Sequence, residues 1–176
     1  LDSFKEVEKG CTQFGIPPLD SYVIDDGWNN YNSDSPSYPV HDVPKSGNSY
    51  NHVGFWTMND KFPDGFTKPS IFSRKIASNF GVWLGPRGGY NYNSQLARMI
   101  AAAGNGYYNE QNSDIDVASI KYTKKLTDFL DNWINEYKVN YYKLDGWQLK
   151  PCANKDHDHM VGGKDGVYQF TDYWER

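Results

Sequence analysis

Three short apolar and aromatic segments, residues 19–26, 80–84 and 139–145, alternate with stretches of helical periodicity, and this alternation most constrains the fold. Strands kept apart by helices return through crossovers, which gives a parallel sheet with right-handed connections. Over 2–14, Phe4, Val7, Cys11 and Phe14 recur at intervals of three and four until Gly15, Pro17 and Pro18 stop the helix. Pro69 suits the first turn of a second helix over 69–80, with Ile71, Phe72, Lys75 and Ile76 on one side. The longest stripe lies in 117–138: Val117, Ile120, Leu126, Leu130, Trp133, Ile134 and Tyr137. Residues 94–103 read as a short helical insertion followed by a polar loop to Asp116, 28–59 as a long loop, and 166–176 as a last helical stretch.

The unusual residues gather just beyond the carboxyl ends of the three strands, where doubly wound sheets and (β/α)8 barrels both place their sites. No phosphate-binding loop follows any strand: Gly85-Pro86-Arg87-Gly88-Gly89 fits neither glycine-rich spacing for nucleotides. A formal net charge of −4 gives no basic footprint, so no nucleic-acid partner is expected. No apolar run approaches the roughly 20 residues that span a bilayer, so no membrane partner is expected either. Cys11 and Cys152 have no CxxC partner and are expected as free thiols, Cys152 as an inert one near the pocket. No Asn-x-Ser/Thr site occurs, and localisation stays open.

Two of the strands end in the same way, Asp25-Asp26-Gly27-Trp28 and Asp145-Gly146-Trp147. Tyr141, Lys143 and Asp145 alternate and so share one side of their strand. Lysine and carboxylate there make either a structural ion pair or a substrate-binding or nucleophilic Asp145 kept ionised by Lys143. Asp25 and Asp26 are adjacent and face one ligand only if the strand breaks at Gly27; they serve turn chemistry or accept from sugar hydroxyls. Trp28 and Trp147 fit the wall of a sugar pocket, while Trp83 fits packing equally well. An aromatic content of 16% suits stacking on sugar faces. Arg87 orders its strand-end loop or touches sugar. Asp156-His157-Asp158-His159 is the only run with metal-ligand residue types, but it completes no known signature. A polar rim or solvated loop is expected there, with no metal and no cofactor.

In their order, Asp25-Asp26-Gly27-Trp28, Phe62-Pro63-Asp64-Gly65, Gly81-Val82-Trp83-Leu84 and Lys143-Leu144-Asp145 resemble the catalytic barrel of melibiase-like retaining glycoside hydrolases, the α-galactosidase and α-N-acetylgalactosaminidase group. The resemblance implies that Asp25, Asp26 and Trp28 bind hydroxyls of a terminal α-linked sugar, that Lys143 contacts it and that Asp145 is the nucleophile of a double displacement. Arg87 stands where many relatives carry an acid, and Gly146-Trp147 replaces a commoner asparagine, which leaves the exact sugar open. The expected fold is α/β, parallel βα units forming about half of a (β/α)8 TIM barrel, in a single incomplete domain over 1–176. The family's acid/base comes from a later strand, so the isolated chain is expected to be inactive and to need the remainder of the barrel or another chain as partner. Two other readings stand beside it: a non-catalytic hexose-binding module, and a metal-dependent hydrolase using the His157/His159 loop.

Overall fold

The computed structural model describes residues 1–29, 56, 58–59, 61–86, 108–109, 114–116, 119–146, 152 and 154–159. In chain order its elements are α1 (Asp2–Gln13), β1 (Ser21–Ile24), α2 (Thr67–Lys75), β2 (Asn79–Leu84), β3 (Tyr108–Asn109), β4 (Asp114–Ile115), α3 (Ile120–Tyr137) and β5 (Tyr141–Leu144). β1, β2 and β5 form a three-stranded parallel sheet in that spatial order, so the chain is α/β as the alternation requires. α2 lies on the crossover from β1 to β2 and α3 on the crossover from β2 to β5. None of the described helices is long and apolar enough to cross a membrane.

Register fixes the two faces of the sheet. Tyr22 pairs with Phe80, Ile24 and Tyr142 with Val82, and Leu84 with Leu144, so these side chains share one face. That face meets the helices: Phe80, Val82 and Leu84 belong to the core, with Ile24, Tyr142 and Leu144 packed against it. The opposite face carries Val23, Gly81, Trp83, Tyr141 and Lys143. Gly81 is required there, because an added Cβ would lie 2.7 Å from Tyr141 Cδ1 and 3.0 Å from the Tyr141 carbonyl oxygen.

Phe66 sits fully buried at the centre of the helix side. Its ring meets Trp133 at 5.0 Å, Phe62 at 5.2 Å, Tyr137 at 5.6 Å and Trp28 at 5.8 Å between centroids, mostly edge to face. Edge-to-face contact brings positive ring edges to negative faces and adds to the burial of the rings.

Several helix details differ from the sequence expectation. α2 ends at Lys75 instead of running to residue 80, because Ala77 turns left-handed (φ 59°) and Asn79 already pairs with Ser21 in the sheet. Its buried side is Pro69, Ser70 and Ser73, while Ile71 is 40% exposed. Small residues on that side leave their hydroxyls internal partners: Ser70 donates to the Tyr137 carbonyl and Ser73 to that of Pro69. α3 starts at Ile120 because Ser119 caps it, accepting from the Tyr122 amide at 3.4 Å. Its inward stripe is Tyr122, Leu126, Phe129, Trp133 and Tyr137, rotated by the large aromatics away from the exposed Ile120 and Ile134. The expected polar loop before Asp116 contains the antiparallel pair β3–β4. The expected helices over 94–103 and 166–176 lie outside the described residues.

Phe66→Ala is expected to destabilise the protein by roughly 3–5 kcal/mol through the cavity it opens among these rings. Urea unfolding followed by tryptophan fluorescence measures the loss; a midpoint equal to wild type contradicts this packing.

Candidate functional site

Every strand of the sheet delivers to the same corner, β5 with two groups. Trp83 pairs with Lys143, and Asp25 stands one step beyond the Ile24–Val82 pair, level with Trp83. Lys143 Nζ spans the central strand to Asp25 Oδ2 at 2.7 Å. Two residues past Lys143, Asp145 is held at the same end by its own amide, which donates to the Leu84 carbonyl at 3.1 Å.

The Asp145 carboxylate is fixed through both oxygens. Oδ2 accepts from the Trp83 indole N–H at 3.2 Å, and Oδ1 accepts from the Gly146 amide at 2.7 Å. The other acidic strand end repeats the device: Asp26 Oδ1 accepts from the Gly27 amide at 2.7 Å. Both glycines lie at positive φ, 76° for Gly146 and 111° for Gly27, and among the described residues no neighbour crowds either position. The Asp-Gly pairs are thus needed for their backbone: the carboxylate caps the next amide while the chain turns off the sheet.

The ion pair differs from the sequence expectation. Lys143 bonds Asp25, level with it, and Asp145 takes neutral N–H donors instead. The hydrogen bond from Lys143, followed by that from the Asp26 amide, holds the Asp25 carboxyl below the usual range. The same bond raises Lys143, with the charges of Asp25 and Asp145 adding to it. Both partners remain open to solvent, 46% for the Lys143 side chain and 62% for Asp25. Asp26 is exposed and occupied with the turn. Trp28 is fully buried, packed on Phe66 and Trp133, with its indole donating to the Trp83 carbonyl at 2.8 Å. It is therefore placed in the core beneath the strand ends, apart from the corner formed by Asp25, Lys143 and Asp145. Arg87 and Trp147 lie outside the described residues.

A second constellation forms where the loop after β5 meets the start of α3. Asp116 Oδ2 lies 2.6 Å from His157 Nδ1 and 2.6 Å from His159 Nε2, and Cys152 Sγ lies 3.3 Å from His157 Nδ1. Asp158, between the histidines, points the other way and accepts from the amides of Ile120 and Lys121, both at 3.0 Å. Burial raises the Asp158 carboxyl, but hydrogen bonds from Ser119, Lys121 and Ile120 outweigh it and leave the group lowered. A carboxylate at exposed amides of a helix N-terminus is the favourable placement. The loop is thus clamped to α3 through one residue while its neighbours turn inward.

The expected solvated loop does not describe these histidines, whose side chains are 5% and 1% exposed. Asp156 does lie in the open, in a turn where its amide donates to Asn154 Oδ1 at 3.0 Å. The sequence reading missed Asp116 and Cys152 as members of the group, since Asp116 is remote in sequence and arrives only through β4 and the α3 cap. Cys11 and Cys152 are both free thiols, as expected, and burial pushes Cys152 up to about 11, a neutral thiol near pH 7. Comparison with protein-family models, with curated proteins and with solved structures finds no match.

Because the folded Asp25 carboxyl is lowered, the contribution of its pair is present above the unfolded value of about 3.9 and is lost as pH falls through the folded value. Carbon-13 titration of the Asp25 carboxyl is expected to give a midpoint below about 3.9, rising in Lys143→Met. A midpoint unmoved by the substitution contradicts the pairing.

Proposed function

We propose that this chain carries the nucleophile side of a retaining glycoside hydrolase site for terminal α-galactosyl or α-N-acetylgalactosaminyl groups, built on βα units that make about half of a (β/α)8 barrel. The observation that carries this reading is the Asp145 carboxylate, oriented by Trp83 and Gly146 beside the solvent-open Asp25–Lys143 pair. A nucleophile in such a displacement must be ionised, aimed and reachable, and a rotationally fixed carboxylate at a strand end meets the need for aim.

Roles follow from chemistry. Asp145 attacks the anomeric carbon, a second carboxylic acid about 5–5.5 Å away protonates the departing oxygen, and water then releases the sugar with retention. Asp25 accepts from one sugar hydroxyl and Lys143 donates to its neighbour, a pairing that suits vicinal hydroxyls. Asp26, exposed next to Asp25, offers a further acceptor, while Trp28 supports the corner from within the core. Arg87 and Trp147 supply the remaining contacts in this proposal, and the family resemblance assigns the acid/base to a later strand.

The barrel reading is supported by strand order. Among the described residues β1, β2 and β5 lie side by side in chain order with parallel pairing, the order that successive strands take around a barrel. Their helices cover one face, and the polar groups stand at the carboxyl ends of the strands, as barrel sites do.

The test uses a mechanism-based fluorogalactoside whose activated leaving group departs without protonation, so trapping needs only the nucleophile. Mass spectrometry is expected to find the glycosyl group on Asp145. In the hydrolase containing this chain, Asp145→Asn is expected to lower kcat by at least about a thousandfold. Label on another residue, or full activity in Asp145→Asn, overturns the assignment; galactose binding without any label points to a non-catalytic hexose module.

A further inference from the structure

We propose that Asp116, Cys152, His157 and His159 form a four-coordinate structural site for a divalent transition metal of the zinc class. These residues are the one such group among the described residues, and their four ligand atoms all lie within 4.8 Å of one another. One thiol, two imidazoles and one carboxylate are ligand types that zinc takes in tetrahedral sites. Zinc bonds of about 2.0–2.3 Å imply distances of roughly 3.3–3.8 Å between ligand atoms at the corners of a tetrahedron. Cys152 Sγ to His157 Nδ1, at 3.3 Å, already has that span. The two Asp116–imidazole contacts at 2.6 Å are shorter, so the carboxylate must draw back by somewhat less than an ångström, within reach of a χ rotation.

Charge and burial favour a cation. Asp116 is 1% exposed and Cys152 1%, and the imidazoles are nearly as deep. A buried carboxylate is costly unless compensated. A divalent ion held by one carboxylate, one thiolate and two neutral imidazoles makes a centre of zero net charge, and a metal deprotonates a coordinating thiol outright. The sulfur and nitrogen donors select zinc-like ions over calcium or magnesium, which prefer oxygen.

Four protein ligands leave no position for water or substrate, which makes the site structural. Its placement gives it a task. Cys152, His157 and His159 belong to the loop that follows Asp145, whereas Asp116 belongs to the segment between β4 and the Ser119 cap of α3. The metal would lock that loop to α3, reinforcing the Asp158 clamp at the helix N-terminus. This inference stands independently of the sugar chemistry. The ligand set also counts against a metal-dependent hydrolase, which needs an open coordination position.

Hydrogen bonding supplies the competing account. The Asn154 amide nitrogen lies 3.0 Å from His157 Nε2 while Asn154 Oδ1 is engaged by the Asp156 amide. In that orientation Nδ1 carries the proton and donates to Asp116; metal binding therefore requires the other tautomer and a turned Asn154 amide.

The deciding experiment adds Co2+ to the tag-free full chain and records its absorption spectrum, with zinc competition measured in parallel. One equivalent is expected to bind with intense tetrahedral ligand-field bands and a thiolate-to-cobalt charge-transfer band, and one equivalent of Zn2+ is expected to erase both. Cys152→Ser is expected to lose the thiolate band, and His157→Ala to weaken binding at least about tenfold. Wild-type protein that binds no cobalt, or binds it with weak six-coordinate bands and no thiolate band, overturns the proposal and leaves the hydrogen-bonded cluster. Because the wild-type spectrum decides by itself, a variant that fails to fold does not blunt the test.

Discussion

The carboxyl end of the central strand depends on aromatic side chains that satisfy its backbone. Past the point where β1 leaves the sheet, the Trp83 carbonyl accepts from the Trp28 indole at 2.8 Å and the Gly85 carbonyl from the Trp56 indole at 2.9 Å. The Pro86 carbonyl accepts from the Tyr122 hydroxyl. Three donors from three separate segments thus satisfy buried backbone acceptors at this strand end. Tryptophan and tyrosine suit this position because each brings a large apolar body to the core and a single polar tip to the strand end. The same strand also works on the face opposite the helices, where the Trp83 indole orients Asp145.

This arrangement explains why core and corner are inseparable. Trp28 follows the acidic end of β1 and plugs into the helix side, fixing where Asp25 and Asp26 leave the sheet. Trp83 joins that anchor to the end of β5, so the two acidic strand ends are referenced to one residue. Lys143 then spans the central strand to Asp25. The pair is solvent-open and therefore weak as a source of stability, but it sets a donor and an acceptor side by side at the surface.

Much of this was legible in the sequence, for reasons of period. Helices α1 and α3, the three strands and their parallel pairing follow from spacing alone, and the strand-end acids follow from the side-chain alternation of two. What escaped was set by tertiary competition. Residues 79–80 lost their helix to sheet pairing and 76–78 to the turn that leads into it, and α3 turned its aromatics inward in place of Ile120 and Ile134. Trp28 read as a pocket wall because it follows two acids, yet its fully buried ring is placed by contacts with Phe66 and Trp133, remote in sequence. Asp116 joined His157 and His159 through the folding of a loop onto a helix cap, which no local spacing encodes.

If the corner of Asp25, Lys143 and Asp145 binds sugar as proposed, Trp83 reports on it through its bond to Asp145. The chain's 6 tryptophans give indole N–H signals that nitrogen–proton correlation spectroscopy resolves during a galactose titration. The Trp83 indole resonance is expected to shift saturably while that of Trp133, buried on the helix side, holds still. Saturable shifts at Trp133 without any at Trp83, or no shift at Trp83 up to saturating sugar, would rule out sugar binding at this corner.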